Sequence, residues 1–186
     1  MNTPRILRVD KSGHPMEWLF PHEAATLICN DRVVWSTGMP IMELRGGKNA
    51  TGNQSRLSLP AIVATTGCDK SHADIPPLTN RMLFRRDGCI CMYCGKQFVF
   101  EMLSRDHIMP ASRGGRDEWG NVITSCKRCN SFKSNRTPEE AGMALLAIPF
   151  VPSRHEYLYL ANRHILADQM DFLKAGFGTQ ILQRIQ

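Results

Sequence analysis

The sequence predicts an α+β fold with a compact ββα unit at its centre, organised around paired cysteines. Two CxxC pairs enclose strand-like and turn-rich residues, and a helical segment begins at the second pair. Short runs of strand composition alternate with Gly- and Pro-rich turns before this unit, and helical patterns follow it. We therefore expect a mixed α/β subdomain over residues 1–80, a central module over 81–140 and a helical extension over 141–186.

The N-terminal subdomain is predicted from its local composition. Strands are expected over residues 5–10, 32–36 and 57–65, and a short helix over 22–29. Pro60 has no backbone N–H, which suggests that the third strand lies at a sheet edge. Segment 45–55 is rich in Gly, Asn and Ser, so we expect an exposed loop or hairpin tip, and we favour a solvated turn over phosphate contacts by its two cations. The aperiodic segment 68–80 is the best candidate boundary.

The central module has a clear order of elements. We expect a helical turn over 81–88, a strand over 98–109, a turn-rich excursion over 111–121, a returning strand over 122–125 and a short helix over 127–136. Two antiparallel strands followed by a helix make a ββα unit with the cysteines at its base.

Two further helices are predicted after the module. Thr137, Pro138 and Glu140 form an N-terminal signal, with Thr as the cap and Glu reaching back to it, so residues 138–148 should be helical. Residues 155–176 are long enough for a terminal helix, which we expect to pack against the module or against a second copy of the chain.

Length and composition limit the protein class. The 186 residues, 42% of them hydrophobic, can bury one ordinary core and a second one only if it is small. No apolar run approaches the roughly 18 residues that cross a bilayer, and the N-terminus lacks a signal-peptide pattern. We expect a soluble cytoplasmic protein without a membrane partner. Seven cysteines, four of them in CxxC pairs, favour metal binding over disulfides.

The net charge of +6 is confined to one part of the chain. Residues 81–136 contain eleven Lys and Arg against five Asp and Glu, and the rest contains twelve of each. The whole surplus therefore lies on the segment with the cysteine pairs, where it would attract a polyanion such as nucleic acid.

The cysteine pairs are the strongest motif. Zinc is bound by such pairs because one turn presents two sulfurs at tetrahedral spacing, and four thiolates leave no open position for a substrate. We expect a structural zinc ion on four ligands: Cys91, Cys94, Cys126 and Cys129. Cys89 could compete, but Tyr93 and Gly95 favour the later pair.

Four polar residues between and after the pairs suggest a reactive centre. Asp106 and His107 should face opposite ways on a strand, where a carboxylate can bind Mg²⁺ and an imidazole can take a proton from water. Asn130 offers a carbonyl oxygen to the same metal, and Asn121 could hold the His-bearing loop through hydrogen bonds. Alone, each of these residues would more commonly be a surface pair, a cap or a turn former.

These motifs together resemble the HNH endonucleases, which have a ββα-metal fold, and in particular their free-standing bacterial or phage members. The matching segments are CMYCG at 91–95, RDHIMPASRGG at 105–115, EWGNVITSCKRCN at 118–130 and KSNR at 133–136. The resemblance is specific over residues 81–140. Many members have histidine where this chain has Asn130, and the amide shifts the site toward oxygen-preferring ions, Mg²⁺ or Mn²⁺.

The resemblance implies a mechanism. His107 would activate a water for in-line attack on a DNA phosphate, with a cation on Asp106 and Asn130, leaving 5′-phosphate and 3′-hydroxyl ends. Lys133 and Arg136 could bind the flanking phosphates, although a solvated helix face explains them almost as well. Further candidates for DNA contacts, weaker ones, are Arg113 and Arg116.

A DNA endonuclease is thus the leading hypothesis. A non-catalytic, zinc-stabilised nucleic-acid-binding module is the alternative, and a protein-interaction domain would leave the local charge surplus unexplained. The residues leave open whether the DNA is duplex, nicked, branched or single-stranded, and whether the protein forms a homodimer.

Overall fold

A computed structural model of the chain describes residues 4–66, 75–179 and 181–182. The chain divides into two compact units, one formed by Ile75–Pro152 and the other by Met1–Asp74 together with Ser153–Gln186. The predicted boundary segment 68–80 lies at this division, although residues up to 74 in it fall outside the described part. Residues 153–186 group with the N-terminal residues, and not in the separate extension that we expected.

The first unit is a four-stranded mixed sheet with helices. Its elements are β1 (Ile6–Asp10), β2 (Pro15–Leu19), α1 (Pro21–Cys29), β3 (Val33–Lys48), β4 (Gln54–Thr65), α4 (Arg154–Ala161) and α5 (Ala167–Lys174). The strand order is β2-β1-β4-β3, with β1 and β4 parallel and the other pairs antiparallel. The α+β prediction is confirmed, but β2 was not predicted.

Both faces of this sheet are covered because side chains alternate along its central strands. Leu7 of β1 packs with Leu158 and Leu173 from the C-terminal helices. Its neighbour Ile6 packs in the other cluster, which includes Ala24 of α1. The C-terminal helices therefore complete the core of the unit.

The edge position predicted from Pro60 is wrong, because β4 lies between β1 and β3. The pairing with β1 involves only Ile62 to Thr65, so Pro60 lies beyond it. On the other side Pro60 is opposite Pro40, at a place where the register of β3 shifts. A proline is tolerated here because the strand is central only over its last residues.

Beyond these prolines the β3–β4 hairpin continues as a two-stranded ribbon, which we call the distal ribbon (residues 43–58). Its strands pair from Glu43 and Ser58 to Lys48 and Gln54. The Asn49 carboxamide oxygen accepts hydrogen bonds from the backbone N–H groups within the turn. All residues from 45 to 56 are exposed, which confirms the prediction of an exposed hairpin tip.

The second unit contains the predicted ββα arrangement. Its elements are α2 (Asn80–Arg86), β5 (Leu103–His107), β6 (Val122–Cys126) and α3 (Lys127–Lys133), with 3-10 turns at Phe100–Met102 and Ala111–Arg113. The strands β5 and β6 are antiparallel. The strand predicted over 98–109 is shorter than expected because Phe100 lies in a 3-10 turn and packs against Phe84.

The helix predicted over 138–148 is not formed. The capping signal is present, since Thr137 and Glu140 exchange hydrogen bonds between side chain and backbone. After one turn, however, Gly142 adopts a φ of 66°. The N–H of Met143 then donates to the carbonyl of Pro138, which closes the turn as a Schellman motif.

The single helix predicted over 155–176 is two helices, α4 and α5. Asn162 is extended, and its side chain exchanges hydrogen bonds with the backbone of His164. A short amide side chain can bond the backbone in this way in place of the helical pattern. None of the helices in the described ranges is long and apolar enough to cross a membrane.

A buried ion pair holds the second unit together. Arg86 and Asp87 are 1% and 3% exposed, and the guanidinium Nε lies 2.8 Å from the Asp87 carboxylate. The guanidinium also donates to three backbone carbonyls, those of Trp119, Val122 and Phe150. Arg86 therefore joins α2 to β6 and to the segment after the module.

We expect Arg86→Leu to lower the free energy of unfolding of the second unit by about 3–5 kcal/mol, because Asp87 would remain buried without its partner. Urea unfolding followed by amide hydrogen exchange over residues 75–152 measures this change. Arg81→Leu, an exposed position on the same helix, is the matched control and should change stability by less than about 0.5 kcal/mol. Equal effects of both substitutions would contradict this role.

Candidate metal and catalytic centre

Four cysteine sulfurs meet at the base of the ββα unit. The Sγ atoms of Cys91, Cys94, Cys126 and Cys129 all lie within 4.8 Å of one another. Tetrahedral zinc with four thiolates requires sulfurs about 3.8 Å apart, so the donor set and its spacing fit this ion. Cys89 is outside the cluster, as expected. Cys126 caps α3, and its Sγ accepts a hydrogen bond from the Cys129 N–H at 3.5 Å.

The thiols of this cluster have unequal acidities. Burial acts to raise the pKa of the Cys91 thiol, but hydrogen bonds from the backbone, that at Cys126 first, outweigh it and lower the pKa to about 7. Burial and the hydrogen bond with Cys126 raise the pKa of Cys129 well above its usual range. Of these two thiols, Cys91 is therefore the one that loses its proton more readily, and metal binding to thiols releases protons.

Asp106 and His107 lie at the end of β5, paired with Ile123 and Val122 of β6. Because neighbouring side chains on a strand alternate, the two have different surroundings, as the sequence predicted. Asp106 is 5% exposed, whereas the His107 side chain is 25% exposed. The imidazole is thus the group that solvent or a substrate can reach.

Both carboxylate oxygens of Asp106 are engaged by protein donors. The Lys133 ammonium donates to Oδ1 at 3.0 Å and to the His107 carbonyl at 2.7 Å. The Tyr93 hydroxyl donates to Oδ2 at 2.5 Å, and burial followed by this hydrogen bond raises the pKa of Tyr93. Tyr93 lies between the two cysteines of the first pair, so the cysteine cluster is linked directly to Asp106.

Lys133 is not placed where a DNA contact was predicted. It is 0% exposed, and its ammonium is used inside the unit by Asp106 and the His107 carbonyl. Lys133 follows Asn130 by three residues, which puts both on the face of α3 that packs on β5. The predicted phosphate contact by Lys133 is therefore incompatible with this structure.

His107 is paired with a carboxylate that the sequence analysis missed. Its Nε2 lies 3.1 Å from Oδ1 of Asp117, whose Oδ2 accepts a hydrogen bond from Arg105. That hydrogen bond is the main cause of a lowered pKa of Asp117. Arg105 also donates from Nε to the Asn80 side chain at 2.8 Å. Apart from two adjacent acidic residues, Asp117 and Glu118, in the turn-rich excursion, nothing in the sequence signals this pairing.

The Asn121 side chain makes three hydrogen bonds to the loop that follows His107. Its Oδ1 accepts from the Met109 N–H at 2.9 Å, and its Nδ2 donates to the carbonyls of Met109 and Arg116. Gly115 is required in this loop, because a Cβ there would lie 1.8 Å from the Met109 carbonyl oxygen. These contacts are of the kind that the sequence suggested for Asn121.

Asn130 lies on α3 beside β5. Its Nδ2 donates to Ser104 Oγ at 3.0 Å and more weakly to the Arg105 carbonyl at 3.4 Å. The amide nitrogen is thereby held by the strand that carries Asp106. The amide oxygen is the atom that a hard cation would use.

The three remaining arginines predicted to contact DNA have different surroundings. Arg136 is half-buried, lies over the Phe132 ring and donates to backbone carbonyls at the end of α3. Arg113 is paired with Glu140 at 2.5 Å on the surface. Arg116 is exposed. The arginines at 113 and 116 are therefore accessible to a polyanion.

Comparisons with known proteins give a family match, a related sequence and a related solved structure. Residues 91–146 match the family described as HNH endonuclease. A stretch of 65 residues is 40% identical to the CRISPR-associated endonuclease Cas9 of Actinomyces naeslundii, which is 34% of this chain and 6% of that protein. The crystal structure of the Type II-C Cas9 enzyme from Actinomyces naeslundii aligns with 22% identity and a TM-score of 0.30, over 62% of this chain and 12% of that one. The chain thus spans a small part of these relatives, and the resemblance to HNH endonucleases is confirmed over the matched residues.

Proposed function

We propose that the chain is a metal-dependent DNA endonuclease that hydrolyses phosphodiester bonds, with His107 as the general base. One observation carries the proposal: a solvent-accessible imidazole paired with a carboxylate, inside the segment that matches HNH endonucleases. Such a pair is an arrangement that takes protons from water near neutral pH.

Asp117 determines which nitrogen of His107 acts. Its lowered pKa keeps the carboxylate ionised at neutral pH, so the facing Nε2 carries the proton. The other nitrogen, Nδ1, is then the acceptor. It takes a proton from water as the water oxygen bonds to phosphorus and the bond to the 3′ oxygen breaks, and the leaving 3′ oxygen takes up a proton from solvent. The expected products are a 5′-phosphate and a 3′-hydroxyl.

Two donors, one on β5 and one on α3, suit a hard cation by their chemistry. A carboxylate and an amide oxygen, from Asp106 and Asn130, are ligands that Mg²⁺ and Mn²⁺ accept. A bound ion would supply positive charge against the phosphate and the leaving oxygen. Lys133 and Tyr93 hold the carboxylate in place, and one of them must share or release an oxygen for a cation to bind.

The four-cysteine cluster is proposed to hold zinc in a structural role. Its ligands come from the turn before β5 and from the start of α3, so one ion would join the segment before β5 to the β6–α3 junction. Through Tyr93 the same cluster positions Asp106. Arg113, Arg116 and Arg136 are proposed contacts for flanking phosphates.

A cleavage assay tests this function. The purified chain is incubated with supercoiled, linear and branched DNA in Mg²⁺, Mn²⁺ or Ca²⁺, and the ends are mapped. We expect nicking in Mg²⁺ or Mn²⁺ with 5′-phosphate ends. Other ends would contradict the proposed attack.

The engagement of both Asp106 oxygens favours a second candidate, a zinc-stabilised module that binds DNA without turnover. In that case the ammonium of Lys133 takes the position of a cation permanently. DNA binding without cleavage in every divalent ion of the panel would support this candidate over the first.

Asp117→Asn is expected to lower kcat roughly ten- to hundredfold with little change in KM, because the imidazole loses the anion that orients it. Steady-state nicking of a plasmid measures both constants. Glu118→Gln is the matched control, since it removes the same charge from the adjacent exposed residue. Equal kcat values for the two variants would exclude the proposed role of Asp117.

A further inference from the structure

The distal ribbon projects from the sheet of the first unit, and the proposed reaction assigns it no role. Its twelve distal residues, 45–56, are all exposed and contain a turn stabilised by Asn49. From Glu43 to Lys48 the strand extends about 17 Å. A ribbon of this length contributes little to the core of the unit beyond its base, where Leu44 and Leu57 pack.

The ribbon carries cations but few acids. Arg45, Lys48 and Arg56 lie within residues 45–56, which contain no Asp or Glu. Glu43 at the base is 3.5 Å from the Arg45 Nε and 3.4 Å from the Arg56 Nη1. These pairs are weak, because the arginine side chains are 65% and 61% exposed, so the guanidinium groups remain available to a stronger anion.

The shape of the ribbon limits the type of anion. Two adjacent glycines, Gly46 and Gly47, make the strand narrow next to the turn, and a Cβ at Gly46 would lie 2.2 Å from Ser55 Oγ. The turn adds amide groups from Asn49, Asn53 and Gln54, which can bond to phosphates or base edges. The B-DNA major groove, about 12 Å wide, admits a two-stranded ribbon, whereas the major groove of A-form RNA is too narrow for side chains to read.

We propose that the distal ribbon is a second DNA-binding element, which contacts duplex DNA through Arg45, Lys48 and Arg56. This inference is independent of the proposed reaction, because it concerns binding by the first unit. Within residues 43–58 the three cations are accompanied by one acid, Glu43, which leaves a local surplus of two positive charges. The ribbon would add affinity or position the duplex in addition to contacts by the second unit.

The test compares two triple variants of the full chain, each with three cations replaced by glutamine. The first is Arg45→Gln, Lys48→Gln and Arg56→Gln. The matched control, Lys11→Gln, Arg32→Gln and Arg163→Gln, removes the same charge from exposed positions of the first unit outside the ribbon. Binding to a fluorescent 30-base-pair DNA duplex is measured by anisotropy between 50 and 300 mM KCl without added divalent ions.

The ribbon variant should bind at least tenfold more weakly at 100 mM KCl, and the slope of log affinity against log salt should fall by about 2–3, since each lost phosphate contact removes about 0.9. The control should retain the wild-type slope. Both variants should melt at the wild-type temperature. Equal slopes for the two variants would overturn the proposal, as would equally tight binding of an RNA duplex of the same sequence.

These outcomes are distinct from those of the cleavage assay. Loss of ribbon binding with nicking still detectable at saturating DNA supports both proposals. Absence of nicking with a ribbon-dependent salt slope leaves the ribbon proposal intact and removes the endonuclease. Nicking with identical slopes in both triple variants supports the endonuclease and removes the ribbon proposal.

Discussion

His107→Ala should reduce the rate of plasmid nicking by about 10²–10⁴-fold, which is the usual contribution of a general base. The imidazole is the accessible titratable group at the end of β5, and the Asp117 carboxylate leaves its Nδ1 to accept the proton. Single-turnover nicking at saturating Mg²⁺ or Mn²⁺ measures the chemical step directly. DNA affinity should change little, because the variant leaves every Lys and Arg of the second unit in place.

His22→Ala is the matched control, an exposed histidine of the first unit that should nick at the wild-type rate. Zinc content and melting temperature should be the same in both variants, since His107 is not a cysteine-cluster ligand. A wild-type nicking rate in His107→Ala would rule out this residue as the base. Asp117 would then be the next candidate for that role.

Cys126→Ser should abolish stoichiometric zinc binding and unfold the second unit at physiological temperature. Structural zinc contributes about 10–16 kcal/mol to the folding of small metal-bound domains, far more than the typical stability of a domain. Cys126 is buried at the junction of β6 and α3, so its loss affects both elements. Elemental analysis and hydrogen exchange over residues 75–152 measure the two effects.

Cys89→Ser is the control for this change, because it removes a thiol two residues from the cluster without removing a ligand. It should retain one zinc ion per chain. Retention of zinc by Cys126→Ser, or its loss from Cys89→Ser, would show that the ligand set is different. Chelation of the wild-type protein should reproduce the hydrogen-exchange pattern of the Cys126 variant.

The sequence predicted those features that depend on spacing along the chain. The cysteine pairs, the opposite orientations of Asp106 and His107 and the order of the ββα elements follow from local periodicity. The burial of Lys133 could also have been predicted, because Asn130 and Lys133 are three residues apart on one helix. It was missed because the positive charge favoured a surface interpretation.

Other features depend on contacts between distant segments. Nothing in the sequence indicates that Asp117, in an irregular loop, meets Nε2 of His107. The central position of β4 depends on its parallel pairing with β1, about fifty residues earlier in the chain. The helix predicted over 138–148 is absent for a different reason. Its capping residues are present, but the left-handed conformation of Gly142 ends it after one turn.

The first unit is formed by two separate segments of the chain, so the ribosome synthesises one segment before the second unit and the other after it. Its sheet is formed by residues before 75, but α4 and α5, which cover one face, come after residue 152. The second unit is an uninterrupted segment, so on a ribosome it can fold before the first unit is complete. A nascent chain stalled shortly after residue 152 would therefore expose the apolar face formed by Leu7, Val9 and Ile62. Deletion of the last thirty residues should therefore destabilise the first unit, although its sheet is formed by residues at the opposite end of the chain.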